Sequence, residues 1–492
     1  MKAPLFLALD IGTSSVRAGV YDCDANVFQE TMVKNNRQLT ATDDGGFEID
    51  VDEAFNQLTQ AIDDVIKKCP EELESIEYSA TSSFWHSLLG IDKEGNPTTK
   101  LFAWAETRPA KFVRTLRRDL DETKIHNRTG CRFHSSYWTA KLLWLRKERG
   151  SQFNKTDKWI SFCDYAALKL FGELETSVSM ASGTGIFDIR ENIWDKELLE
   201  YLKIGEENLP TIIKDDKETF RLNKKYAKRW ACLKETEWFL AIGDGAGNNI
   251  GANCVSKEKA ALMIGTSGAM RVAFEGDIPE RIPNGLWCYR IDRKRIIIGG
   301  ALSDGGGLYG WLKKNFRLKK NDDKTEAKIA KRKPDQHGMT FLPFLAGERS
   351  TGYNVFASGA IIGLKHAHNK NDIVQAALES VAYRFAEIFD QLNEVLEIKE
   401  IVASGGALRE SPIWTQIICD TLGQDLNLPD TREASSRGVV LLASEVIGAI
   451  TDIAEIPTPN GRKFIANQHN NFVYKSARAR HQKFYGMLID NQ

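Results

Sequence analysis

The sequence has no excess of charge of either sign. Its 66 basic residues face 67 acidic ones, for a formal net charge of −1. Binding to nucleic acid or to an anionic membrane normally needs a basic surplus, so neither is expected as a partner. Long apolar runs are missing as well: none approaches the roughly 18 residues of a membrane span. The stretch LFLALDIG behind Met1 is too short and too weakly flanked for a signal peptide. The eight cysteines (Cys23, Cys69, Cys131, Cys163, Cys232, Cys254, Cys288 and Cys419) never fall at metal-ligand or redox spacing, which predicts reduced thiols. Together these absences predict a soluble, cytoplasmic protein in which any small anionic ligand must be held by local geometry.

What is present fits a soluble enzyme. At 492 residues, 42% apolar and 27% charged, the chain is long enough for two or three domains with real cores. Short apolar runs ending at glycine clusters alternate with helical patterns, an α/β signature. Strands are predicted over Leu5–Asp10, Val16–Tyr21, Ile76–Thr81, Ser87–Ile91, Phe239–Ile242, Ala260–Ile264, Arg295–Ile298 and Ile401–Ser404. In Asp372–Leu396, Ile373, Ala377, Val381, Phe385, Ile388, Leu392 and Val395 recur at three- and four-residue steps, predicting a helix with Asn371 in capping position. The charged segment 214–234 predicts a domain junction near residue 240, dividing the chain into 1–243 and 244–492. Residues 319–333, mixed in charge, predict a solvated helix and loop.

One internal repeat stands out. LALDIGTSSVRAGVYD (7–22) and ALMIGTSGAMRVAF (261–274) share a strand, the tetrad Ile-Gly-Thr-Ser, and a second strand carrying an arginine. About half a chain separates them, which suggests two related halves facing each other across a cleft. In the turn Gly12-Thr13-Ser14-Ser15, Gly12 can take positive φ, while hydroxyls and amides offer several donors to one phosphate. Asp10 ends the preceding strand, where a carboxylate can hold Mg²⁺ directly or through water, and Arg17 adds a positive charge. A lone copy would be read as a plain hairpin with a polar tip. A second one, Gly265-Thr266-Ser267-Gly268, makes a two-sided polyphosphate clamp the better reading.

In AIGDGAGNNIG (241–251), Asp244 is either a helix cap or a base accepting a hydroxyl proton as it attacks a phosphate. ASGGALRES (403–411) follows a strand and opens a helix over Ser411–Leu422, so that Gly405, Gly406 and Ala407 let a flat ring approach closely. GGALSDGGGLYGWL (299–312), with Gly305 and Gly306, has the same character. Singly these turns are weak signals. The GxxxxGK[ST] loop and the protein-kinase HRD and DFG sets are absent, which excludes those nucleotide sites.

Gly359-Ala-Ile-Ile-Gly363-Leu364, seven residues, then Asp372-Ile373-Val-Gln-Ala376-Ala377-Leu378-Glu379 resembles the C-terminal signature of the FGGY carbohydrate kinases. The LDIGTSSVRAGVYD, GDGAGNNIG, MIGTSGA and ASGGAL segments appear in that family's order, so the resemblance spans about residues 5–450. It implies two actin- and hexokinase-like (ribonuclease H-like) ATPase domains across a cleft, the N-terminal one binding sugar and the C-terminal one binding ATP. It also implies Mg²⁺ near Asp10, Asp244 as catalytic base, Thr13, Ser14 and Thr266 on the phosphates, and Gly405, Gly406 and Ala407 by the adenosine. SFWHSLLGID (83–92) and AWAETR (103–108) resemble the family's sugar-contacting segments, which assigns Trp85, His86, Trp104, Glu106 and Arg108 to the sugar. Glu106 departs from the family's aspartate and Ser87 from its glycine. Without the family pattern, His86 and Trp104 read as packing beneath a pocket.

FLPFLAGERSTGYN (341–354) and GLWCYRID (285–292) are similar to gluconate-specific members, with xylulose-specific members the runner-up. A sugar acid needs a cation, and Arg108 is an available fork. A chaperone or filament ATPase on the same fold lacks an acceptor pocket, and a dead sugar sensor would not keep Asp10, Asp244 and both turns. Oligomeric state, a homodimer included, stays open.

Overall fold

The computed structural model describes residues 2–37, 40–69, 76–318, 323–430 and 433–489. It contains two seven-stranded sheets with one plan. In the first, β1 (Leu5–Ile11) is a nearly continuous apolar run, buried on both faces as a central strand must be. It pairs antiparallel with β2 (Ser15–Tyr21), which pairs antiparallel with β3 (Val33–Asn36). On its other side β1 runs parallel to β4 (Ile76–Ser83), and β4 runs parallel to β5 (Glu237–Phe239). The second sheet repeats the pattern with β6 (Lys259–Ile264), β7 (Gly268–Glu275), β8 (Arg295–Leu302), β9 (Glu400–Ser404) and β10 (Leu426–Pro429). Again two antiparallel pairings lead away from the first strand on one side and two parallel pairings on the other. The repeat legible in the sequence is thus a repeat of sheet topology, and the two-lobed α/β architecture is present.

Helices pack on these sheets, and their ends follow local chemistry. α1 (Val51–Lys68) is capped by Asp50, whose side chain accepts from the Glu53 amide, and buries Val51, Phe55, Leu58, Ile62 and Val65 along one face. α2 (Trp138–Glu148) lies in the first half. α3 (Asp244–Gly251) follows the first sheet, and α4 (Gly306–Asn315) leaves β8 through a glycine turn. α5 (Lys370–Asn393) is the predicted long helix; its cap is Asn369 in a capping box with Asp372, two residues before the expected Asn371. α6 (Pro412–Leu422) starts at a proline, with the Ser411 side chain accepting from the Trp414 amide. α7 (Ala434–Val446) packs on α3 and on β1 and β4, so the C-terminal half reaches back onto the first sheet.

Two predicted strands come out shorter. Phe239–Ile242 splits into β5 and the pair Ile242–Gly243, both against β4. Ser87–Ile91 is a strand only at Leu89–Ile91, because His86 takes φ 69° and turns the chain. The segment 319–333 lies partly outside the described residues; Asp323–Ala330 is helical, as expected. All nine residues of GDGAGNNIG (243–251) are buried or half-buried, which explains its composition. A Cβ on Gly251 would lie 1.8 Å from the Ala434 carbonyl oxygen, and one on Gly438 would lie 1.8 Å from that of Gly247. Those glycines let α3 and α7 cross closely where the halves join. Among the described residues no helix is long and apolar enough to cross a membrane.

Candidate active site

The first hairpin turn, between β1 and β2, is closed by the Gly12 amide donating to the Ser15 carbonyl at 2.9 Å. Gly12 is not among the residues with positive φ. It is small because a Cβ there would lie 3.2 Å from the Ser15 oxygen. Asp10 is buried at the end of β1. Its Oδ1 accepts from the Ser82 hydroxyl at 2.7 Å and its Oδ2 from Arg17 Nη1 at 3.0 Å. Arg17 Nε also lies 3.0 Å from Glu433, just before α7, tying the hairpin to the other half.

In the second half three glycine turns stack at one end of the sheet. The Gly265 amide donates to the Ser267 carbonyl; Gly305 and Gly307 donate to Thr266 at 3.1 and 2.8 Å, and Gly306 to Gly265 at 2.8 Å. Gly405 has φ 100°, and a Cβ there would lie 2.2 Å from the Ile264 carbonyl oxygen. Above Gly406 there is open space, and a Cβ on Gly306 would lie 3.1 Å from that of Ala407. Gly265–Gly268, Gly305–Gly306 and Gly405–Ala407 therefore form one cradle of closely packed backbone, most open at Thr266 and Gly406.

The two hairpins are not equivalent in their arginines. Ile11 pairs with Val16 across a four-residue turn, but Ile264 pairs with Gly268 across a three-residue one. Arg17 stands opposite Asp10, whereas its positional counterpart Ala269 stands opposite Met263, and Arg271 stands opposite Ala261. Arg271 thus lies on the same strand face, about 7 Å further from the tip.

Asp244 is the first residue of α3, half-buried, with its Oδ1 accepting from the Gly245 amide at 2.7 Å. Burial pushes its pKa up to about 6, against the pull of Arg271 and with added repulsion from Asp10. The fields of both hairpins therefore meet at this one carboxylate. A second acid, Asp304, lies just before Gly305; it accepts from the Ala346 amide at 3.0 Å and is also lifted to about 6 by burial.

The wall opposite is built from the first half. Trp85 is buried under the backbone beside Asp244: a Cβ on Gly243 would fall within 1.8 Å of its ring, and its Nε1 donates to the Ser179 carbonyl at 2.9 Å. His86 is buried, with Nδ1 2.5 Å from the Gly183 carbonyl oxygen. Burial and the charge of Arg349 hold its pKa well below the usual value, so it is neutral. Lys141 on α2 is fully buried and donates to the carbonyls of His86 at 2.6 Å and Ala103 at 2.8 Å, binding the His86 and Trp104 segments together. Burial brings its pKa down to about 7.

Arg108 does not offer a vacant fork. Glu106 is fully buried and receives its Nε at 2.8 Å and Nη2 at 2.6 Å, while Glu48 receives Nη2 at 2.6 Å. Glu106 also accepts from the Phe47 amide at 3.1 Å, so the extra methylene serves to pin two loops. Trp104 is half-buried, and over its ring, 5.6 Å from the centroid, lies the guanidinium of Arg349. Burial and Arg349 also lower His134, to about 3, and its ring stands edge-on to Tyr353 at 6.1 Å.

Sequence reasoning missed Lys141, His134, Asp304 and Arg349, and passed over Arg271. Arg349 and Arg271 were within reach: the first lies in the FLPFLAGERSTGYN segment, the second is the repeat's own arginine. Lys141 carried no signal, since a lysine in an apolar helical stretch reads as a snorkelling side chain.

Residues 5–251 match the N-terminal domain of the FGGY family of carbohydrate kinases and residues 260–445 its C-terminal domain. The chain is 29% identical over 457 residues to a gluconokinase of Bacillus subtilis (strain 168), covering 90% of this chain and 88% of that protein. It is 25% identical over 442 residues to a xylulose kinase of Staphylococcus xylosus, covering 89% and 90%. The crystal structure of gluconate kinase from Lactobacillus acidophilus superposes with a TM-score of 0.89 at 25% identity, covering 98% of each chain. Two lobes of one topology, a glycine cradle and a carboxylate between the hairpins thus accompany family matches over both halves, and the chain belongs to the FGGY family of carbohydrate kinases, ATP-dependent enzymes that phosphorylate sugars.

Proposed function

We propose that this kinase transfers the γ-phosphate of ATP to a hydroxyl of a sugar acid, with gluconate, giving 6-phosphogluconate, as the substrate. The observation that carries the chemistry is Asp244: a carboxylate with one oxygen committed to the Gly245 amide, the other without a hydrogen bond among the described residues, and a pKa of about 6. That value leaves it ionised at neutral pH yet basic enough to take a proton. The preference for gluconate is supported by the Bacillus subtilis relative. A solved xylulose kinase from Lactobacillus acidophilus, also at 25% identity and a TM-score of 0.89, makes xylulose the second reading.

In this reading ATP lies over the cradle of Gly265–Gly268, Gly305–Gly306 and Gly405–Ala407, and Gly12–Ser15 meets the phosphates from the other lobe. The acceptor lies between His86, Trp104 and Asp244. The free Asp244 oxygen orients the attacking hydroxyl and receives its proton as that oxygen approaches the phosphorus in line. A Mg²⁺ ion fits beside Asp10 through water, because Ser82 and Arg17 already occupy one position on each carboxylate oxygen. When bound, that ion would neutralise phosphate charge. Closure of the lobes would exclude water. ADP release measured on gluconate, xylulose, ribulose, fuculose and glycerol tests the assignment. Faster turnover on any uncharged ketose than on gluconate would refute it.

A further inference from the structure

Two arginines of the second half reach the acceptor side of the cleft without an anion. Arg271 is only 8% exposed, its side chain makes no hydrogen bond or ion pair among the described residues, and its Nη1 is shut off from solvent with no partner. A buried guanidinium in that state is expensive, and desolvation brings its pKa down to about 10. Contact fixes its place: a Cβ on Gly245 would lie 3.2 Å from its Cζ and 2.8 Å from the Trp85 ring, directly behind Asp244. Arg349 is half-buried over Trp104 and likewise makes no side-chain hydrogen bond or ion pair among the described residues. The two cations repel each other, and Asp244, whose negative charge acts on both, forms an ion pair with neither. If Asp244 takes up the acceptor's proton, even that opposing charge disappears. Arg17 is paired with Asp10 and Glu433 and Arg108 with Glu106 and Glu48, while Arg37 donates to Gln57 and to the Thr13 carbonyl in the first hairpin turn.

Resting on the sugar-acid reading above, we propose that Arg271 and Arg349 together hold the acceptor's carboxylate, and that this subsite, rather than Arg108, selects an acid over a neutral sugar of the same length. The carboxylate supplies the missing partner to Arg271 and cancels the repulsion between the two guanidiniums. A neutral acceptor must leave both unpaired, and a site built around buried donors discriminates strongly against a ligand that cannot satisfy them.

The test is binding of gluconate and of glucitol, its neutral counterpart, to the full-length protein without ATP, read by calorimetry and by tryptophan fluorescence. Wild type, R271M, R271K and R349M are compared. The ratio of gluconate to glucitol affinity is expected to fall about 100-fold in R271M and R349M, with R271K retaining part of it. Arg349 is half-exposed, so R349M carries the test if R271M fails to fold. An unchanged ratio in R349M and in every folded Arg271 variant, or a loss of ATP affinity in place of acid preference, overturns the subsite. Turnover by the wild-type enzyme separates the two ideas. If it works faster on an uncharged ketose, the sugar-acid reading falls and the subsite with it. If it prefers gluconate while the variants keep the full affinity ratio, only the subsite falls.

Discussion

The two hairpins begin from almost the same sequence and end in opposite electrostatic states. At the first, Asp10 and Arg17 face each other across the strands and neutralise one another, with Glu433 completing the set. At the second, the corresponding pair is Met263 and Ala269, and the charge nearest the turn is Arg271, one pleat deeper and without an ion pair among the described residues. The turn is one residue shorter and the arginine one residue later in the chain, and together these set the guanidinium two residues further from the tip, beside Gly245. The two copies therefore share topology, while register sets where each copy's arginine lies.

The sharpest way to break this comparison is at the carboxylate where the two fields meet. D244N keeps shape and removes the proposed base. Its kcat is expected to fall by about 10³-fold or more, with ATP affinity nearly unchanged in a nucleotide titration. Retained turnover would remove Asp244 from the chemistry. D10N should cost less, about 10²-fold in kcat, and should raise the Mg²⁺ concentration needed for half-maximal rate. Adding the double substitution M263D/D10N asks whether the hairpins are interchangeable. No recovery is expected, because position 263 has Ala269, not an arginine, opposite it.

The glycine cradle offers a smaller, paired effect. Gly405→Ala meets both a positive φ and the Ile264 carbonyl at 2.2 Å, and should cost about 1–3 kcal/mol of stability, read as a lowered Tm. Gly406→Ala meets nothing within 4 Å, so its Tm should stay put while its KM for ATP rises about tenfold as the methyl group intrudes on the nucleotide. If Gly406→Ala leaves KM unchanged, adenosine does not lie over that turn.

The fold was largely legible in the sequence because its signals are local or repeated. The strands starting at Leu5, Ile76, Ala260 and Ile401 and the periodic helix after Asn369 were all visible, and the Ile-Gly-Thr-Ser repeat announced two related halves. The placement of Asp10 near the end of β1 and of Asp244 at the head of α3 was legible because each lies in a short local motif. The site was not legible where long-range pairing decides a residue's role. Arg108 reads as a free fork until Glu48, sixty residues earlier, and Glu106 fold onto it. Arg17 and Arg271 read as equivalents until strand register separates them. Nor can a linear pattern show that Lys141 clamps His86 to Ala103, since that role depends on three distant backbones meeting.

The smallest effect is also the most diagnostic of charge at Asp244. With the ordinary carboxyl pKa of 3.8 raised to about 6 in the fold, the group ionises in the unfolded chain well before it does in the native one. Ionisation therefore costs native stability: the cost is absent below about pH 4, grows between about 4 and 6, and is complete above that. D244N is neutral throughout, so it should melt a few degrees above wild type at pH 8 and converge on it near pH 4. The same titration gives wild-type kcat/KM an acidic limb centred near pH 6, falling tenfold per unit below it. D10N, which strips Arg17 and Ser82 of their partner, should instead melt below wild type at pH 8. If D244N and D10N shift Tm in the same direction, the contrast between a neutralised and an unneutralised carboxylate is wrong.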